Sequence, residues 1–240
     1  MAVIEDLSYE GFAGKLARPE QPPATPLPGV LVMPDAYGIS DFSIGQATRL
    51  ADLGFVSLAG DPYGGGFYAT TPEAVAEKTA SVTTDQTVLR ANVRANMDAL
   101  AAVDGVDTLR LGAIGYCLGG TAVLELARSG YACRGVVSFH GLLTTTAPAE
   151  HGAVGAAVLV CTGADDPYAP LTDVIGFQAE MTAAEADCQV LVYTGTQHSW
   201  TNPASAGAWP GIAYHPQNAE RSWDTMVAFL RQCFGPPVLV

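Results

Sequence analysis

Nowhere in its 240 residues does this chain hold an uninterrupted apolar run approaching the roughly 18 that a membrane-crossing helix needs. Basic residues are scarce: 11 Lys and Arg stand against 24 Asp and Glu, for a formal charge of -13. The few cations are scattered rather than gathered into a stripe, which excludes nucleic acid and anionic membrane surfaces as partners. The opening residues MAVIEDLSYE carry acids where a secretory leader would carry basic residues and then an apolar run, so a cytoplasmic protein is expected. Cysteine is sparse as well. Five thiols, an odd number, fall at positions 117, 133, 161, 188 and 233 with no C-x-x-C pair and no spaced Cys/His set, so neither a disulfide framework nor a metal site is expected.

What the chain does have is apolar residues, 49% of the total, in a length that suits one domain spanning 1–240. A globular chain of this size buries roughly 70 to 75% of the surface its unfolded form exposes and needs no staple to make a core. No internal repeat is visible. The proline-rich stretch ARPEQPPATPLP, residues 17–28, reads as a surface connection between an N-terminal strand-like stretch and the apolar run that starts at Gly29.

From residue 29 onward, short β-branched runs alternate with longer segments whose apolar residues recur at three and four. The runs at 30–33, 55–59, 109–115, 135–139, 157–163 and 189–195 predict strands, and helices are expected over about 43–53, 84–103, 119–129, 171–186 and 217–233. Several strand runs are apolar almost throughout, as when helices cover both faces of a parallel sheet. The expected class is therefore α/β, a doubly wound, mostly parallel sheet flanked by helices on both faces. In such sheets ligands bind beyond the carboxyl ends of the strands. Asp35, Asp61, Cys117, His140, Asp165, Asp166 and His198 occupy those positions.

The most specific signal is LGAIGYCLGG, residues 111–120, where a buried strand runs into Gly-Tyr-Cys-Leu-Gly and then into a helical pattern. This is the nucleophile elbow of the α/β-hydrolase fold with cysteine in place of serine. The turn is so tight that residues two before and two after the nucleophile must lack bulk, which Gly115 and Gly119 satisfy. The turn lifts the thiol to a helix N-terminus, whose partial positive charge favours thiolate and whose free N–H groups can bind an oxyanion. A buried structural cysteine beside a glycine turn is the bland alternative. Such a nucleophile needs a base, and the base needs an orienting acid, in the chain order nucleophile, acid, histidine. Asp165 or Asp166, followed by His198, satisfies that order from loops directly after apolar strands. His140 follows a strand but precedes the acid, which argues against a catalytic role, while His151 reads as solvated and His215 as the lead into the last helix.

The stretches VLVMPDAYG, GYCLGG, TGADDPYAP and TGTQHSW, taken in order and spacing, resemble the landmarks of the dienelactone hydrolase family, over roughly residues 29–233. The resemblance implies Cys117 as nucleophile, Asp166 as acid, three residues after Gly163, and His198 as base. It also implies an oxyanion hole made by the N–H groups of Leu118 and Ala36. Two positions depart from the family pattern. Its strand-end glutamate is Asp35 here, one methylene shorter. Asn202 stands near where the family carries an arginine that would hold a substrate carboxylate, no basic residue replaces it nearby, and Lys78 is the one plausible cation in the loop-and-helix region that partly covers such sites. Tyr37, Tyr63, Phe67, Tyr68, Trp200 and Trp209 fall in strand-end loops, and Asp35, Tyr37, Trp200 and Asn202 are the expected accessory and substrate-binding residues. The other cysteines read as apolar filling.

The implied activity is cleavage of an ester, lactone or related small electrophile through a thioester, on neutral substrates, with no cofactor, by a monomer or homodimer. The rivals are attack of the same thiolate on a neutral phosphotriester and a non-catalytic thiol that senses oxidants or binds a ligand.

Overall fold

The structure is a computed structural model and describes residues 1–21 and 23–235. Its centre is an eight-stranded sheet in the order β1-β2-β4-β3-β5-β6-β7-β8. The parallel part consists of β3 (Leu27–Met33), β4 (Val56–Ala59), β5 (Val106–Tyr116), β6 (Gly135–Phe139), β7 (Ala157–Gly163) and β8 (Cys188–Tyr193). In β3, Val30, Leu31, Val32 and Met33 are all fully buried, so both faces of the strand are covered and the run reads as continuously apolar.

One face packs on α1 (Asp41–Asp52) and α6 (Pro216–Phe234), with Leu50, Trp223 and Met226 among the buried residues. The other packs on α2 (Pro72–Thr83), α3 (Gln86–Ala101), α4 (Leu118–Arg128) and α5 (Leu171–Ala183), through Leu89, Met97, Leu124 and Phe177. Local chemistry starts several of these helices. Ser40 and Ser43 make a reciprocal capping box on α1, Asp85 caps α3, and His215 accepts the Asn218 N–H with Pro216 in the first turn of α6. His215 is thus a cap, as its place before Pro216 suggests. No helix among the described residues is long and apolar enough to cross a membrane.

Two parts of the fold differ from the sequence reading. The N-terminus forms a hairpin of two strands, β1 (Ala2–Tyr9) and β2 (Phe12–Pro19), with β2 bonded antiparallel to β4, so the proline-rich connection is shorter than 17–28. Helix α2 lies ahead of α3 as a separate element, capped by Thr71, and only Val82 of it is buried. A helix with so little buried surface leaves a weak periodic trace in the sequence.

The elbow between β5 and α4 sets the position of everything that follows. A Cβ on Gly115 would stand 2.0 Å from the Gly119 carbonyl oxygen, and a Cβ on Gly119 would stand 2.2 Å from that of Met33. Neither position has room for a side chain, because α4 starts directly against β3 and β5. Cys117 between them sits at φ 52 and ψ -114, a left-handed strained conformation for a non-glycine residue.

Candidate active site

Asp35, Cys117, His140, Asp166 and His198 follow the carboxyl ends of β3, β5, β6, β7 and β8 in turn, and the sheet brings them to one edge. His198 Nε2 stands 3.2 Å from Cys117 Sγ, and its Nδ1 stands 2.8 Å from Asp166 Oδ2. Asp166 is held in turn: its Oδ1 accepts the backbone N–H groups of Tyr168 at 2.8 Å and Ala169 at 3.3 Å. Asp165 is exposed, with its N–H committed to the Thr196 carbonyl at 3.0 Å.

Cys117 is partly exposed at the base of a cavity of about 330 Å³. Leu118, Leu142, Tyr168, Trp209 and Ile212 give the cavity an apolar wall, which Asp35, Ala36 and Tyr37 also line. Among the described residues no Lys or Arg lines it. The N–H groups of Ala36 and Leu118, which flank the thiol, have no hydrogen-bond partner among the described residues. The Ala36 peptide is braced from behind by the Tyr63 hydroxyl, which donates to the Ala36 carbonyl at 2.8 Å.

Burial disfavours a charge on His198, but the thiolate form of Cys117 and the Asp166 carboxylate outweigh it and push the imidazole up to about 10. Asp35 is raised by burial, a shift eased by the Tyr37 N–H at 3.0 Å, the Asn202 amide at 3.3 Å and the charge of His198. His140 is held well below the ordinary histidine range by burial and by the neighbouring His198, so it is neutral.

The structure redistributes several residues singled out from the sequence. Trp200 is corrected: it is fully buried, edge-on to His140 at 5.0 Å, and forms part of the core under α6 rather than a substrate surface. Ser199, at φ 57, turns the chain so that the next side chain points back into the protein. Tyr168 and Trp209 supply the aromatic wall instead. Asn202 is buried behind Asp35, donating to its carboxylate and capping the turn at Ala204, and does not line the cavity. Lys78 also lies off the cavity wall, its ammonium 4.7 Å from the centre of the Phe67 ring.

Asp61 organises backbone: its carboxylate accepts the N–H groups of Ala13, Tyr63, Gly64 and Gly66. Residues missed in the sequence include Val75 and Thr79 of α2, which reach the cavity wall. Tyr168 was legible in principle, since it directly follows Asp-Pro in the acid's own loop.

A family model described as the dienelactone hydrolase family matches residues 12–234. Two solved structures are similar over nearly the whole chain. A protein called m3DLH is 36% identical, with a TM-score of 0.92 and coverage of 98% of this chain and 99% of its own. The dienelactone hydrolase-like promiscuous phosphotriesterase P91, from metagenomic libraries, is 33% identical, with a TM-score of 0.91 and the same coverage. Among sequences, a Bradyrhizobium protein named probable 2-oxo-3-(5-oxofuran-2-ylidene)propanoate lactonase is 28% identical over 85% of this chain and 84% of its own.

Proposed function

The chain belongs to the dienelactone hydrolase family, and from that premise we propose that it hydrolyses neutral esters or lactones by acyl transfer through Cys117, with His198 as base and Asp166 as orienting acid. The observation that carries this reading is the relay from Sγ to Nε2 at 3.2 Å and from Nδ1 to Oδ2 at 2.8 Å, opening into an apolar cavity. The thiolate attacks the carbonyl carbon, a C–S bond forms, and the electron pair moves to the oxygen. That oxyanion is received by the N–H groups of Ala36 and Leu118. His198 gives its Nε2 proton to the leaving oxygen as the C–O bond breaks, which leaves a thioester. Acylation removes the charge on sulfur that favoured the imidazolium. Burial then favours neutral imidazole, which takes a proton from water as the water attacks, and the C–S bond breaks to restore the thiolate.

Mass spectrometry of the enzyme quenched during turnover of a slowly deacylating aryl ester tests the reading. The expected result is an acyl adduct on the peptide carrying Cys117; turnover with no adduct under conditions where deacylation is slow contradicts it. The pH profile is a second expected outcome. Because the imidazole is raised, its proton is present throughout neutral pH and is lost as pH rises through about 10, and any stability it lends the fold is lost over the same rise. Consequently kcat/KM should hold through neutral pH and fall near 10, and an alkaline fall close to the ordinary histidine value would refute the thiolate–imidazolium pair.

Neutral substrates are favoured because no cation lines the cavity among the described residues, and the Asn202 amide is already engaged by Asp35. Loss of a charge-assisted contact to a carboxylate costs about 1.5 to 3 kcal/mol, or roughly one to two orders of magnitude. The methyl ester of a dienelactone carboxylate should therefore exceed the free carboxylate in kcat/KM by about that factor. Preference for the free carboxylate, weakened by salt or by Lys78→Ala, would place a cation in the pocket after all. A second reading, attack at the phosphorus of a neutral triester, is favoured by the 33% identity to P91, and aryl phosphotriesters belong in the same substrate panel.

A further inference from the structure

The triad leaves one buried histidine unused, and its contacts are with the groups that hold the triad. His140 directly follows β6 at φ 42, a left-handed conformation for a non-glycine residue, and is only 1% exposed. Its own N–H is tied to the Cys161 carbonyl of β7 at 2.9 Å. Its Nδ1 accepts the backbone N–H of Cys117 at 3.0 Å, sharing that donor with the Phe139 carbonyl at 3.0 Å. An acceptor at Nδ1 leaves the ring proton on Nε2, which is 2.8 Å from the Thr201 hydroxyl. Thr201 lies in the loop that carries His198. Its neighbour Asn202 donates to Asp35, whose other carboxylate oxygen accepts the Tyr37 N–H across the Ala36 peptide. Two hydrogen-bonded segments, joined by the covalent bond between Thr201 and Asn202, therefore run from the nucleophile's own backbone to the loop of the base and on to the strand end that presents the Ala36 N–H.

We infer that His140 is a positioning residue: by spanning the Cys117 N–H and the Thr201 hydroxyl it sets the separation of nucleophile and base and keeps the elbow in its strained conformation. The inference rests on Cys117 and His198 acting as proposed above. Strained backbone at a nucleophile persists only where neighbours over-determine it, and His140 supplies a second acceptor for the Cys117 N–H beside the Phe139 carbonyl. A ring is required rather than a carbonyl because two loops must be bridged at once. The imidazole does so with no charge of its own, so it does not compete with His198, whose ring centre is 5.1 Å away.

The test compares His140→Leu, which removes both contacts, with His140→Asn, which keeps an acceptor near the place of Nδ1. A displacement of about 1 Å between reacting groups can cost on the order of 10²-fold in rate. His140→Leu should lower kcat by about that factor with little change in KM, and His140→Asn should recover about tenfold of it. The groups facing His198 are Cys117, Asp166, Asp35, His140 and Tyr168. Widening the gap to Cys117 weakens the attraction that raises His198, so the alkaline limb should move below its wild-type position in His140→Leu. Thr201→Val, which cuts only the far contact, gives the same shift to a smaller degree and Thr201→Ser restores it, which keeps the test open should the Leu variant fail to fold. Wild-type kcat and pH limb in His140→Leu or Thr201→Val overturn the inference. So do equal losses in His140→Leu and His140→Asn accompanied by a lower Tm and an unmoved limb. Absence of an acyl adduct on wild-type Cys117 is a separate result and would remove the reading on which the inference stands.

Discussion

Cys117→Ala is expected to lower kcat for ester hydrolysis by roughly 10⁶-fold, to the residual level that oriented N–H donors and binding alone can sustain. Alanine fits the elbow, since it keeps a Cβ and the same backbone, so the loss reports the sulfur rather than the fold. The variant still holds His198 beside an apolar cavity, and the one nucleophile left to it is water. A companion measurement uses a haloacetamide on the wild type. Cys117 should be alkylated first among the thiols, because it is partly exposed at the start of α4 with His198 at 3.2 Å. Burial pushes the Cys133 and Cys161 thiols up to about 12 and those of Cys188 and Cys233 up to about 11, which keeps them protonated and slow. Retention of most of the activity in Cys117→Ala would mean that His198 activates water directly and that no thioester forms.

The parts of this molecule that were legible in the sequence are those whose physics is local. Strand β5 running into Gly115, Cys117 and Gly119 announces the elbow because the crowding at Met33 and Gly119 admits only glycine there. The central parallel strands were legible because burial on both faces makes them apolar throughout, as in Val30 to Met33. The edge strand β1 is exposed along most of its length and was less distinct. Helix α2 covers the cavity with only Val82 buried, so the wall it contributes, Val75 and Thr79, carried no periodic signal.

Side-chain direction was hidden for a different reason. Whether Trp200 faces substrate or core depends on the backbone turn at Ser199, and the residue type does not encode it. The position of His140 was also underestimated, because the chain-order rule for catalytic triads concerns groups that touch the reacting atoms. That rule is silent on a ring that acts through the backbone of the nucleophile.

Asp166→Asn is expected to lower kcat by about 10³- to 10⁴-fold, whereas Asp165→Asn should leave it within about twofold. Chain order alone permits either aspartate, and the turn after β7 separates them. The N–H of Asp165 is anchored on the Thr196 carbonyl and its side chain is exposed, while the side chain of Asp166 is buried against His198. In Asp166→Asn the two backbone donors, Tyr168 and Ala169, still require an oxygen at the Oδ1 position. That requirement turns the amide nitrogen toward His198 Nδ1. A donor facing Nδ1 forces the ring proton onto Nε2, the atom that must accept a proton from water in deacylation. The carboxylate that helps hold the imidazolium is lost as well, so the alkaline limb of kcat/KM should fall below its wild-type position near 10. Steady-state kinetics of both variants across pH, with Tm to confirm folding, decide the matter. Equal losses at the two positions, or a larger loss in Asp165→Asn, would show that the acid of the relay is not Asp166.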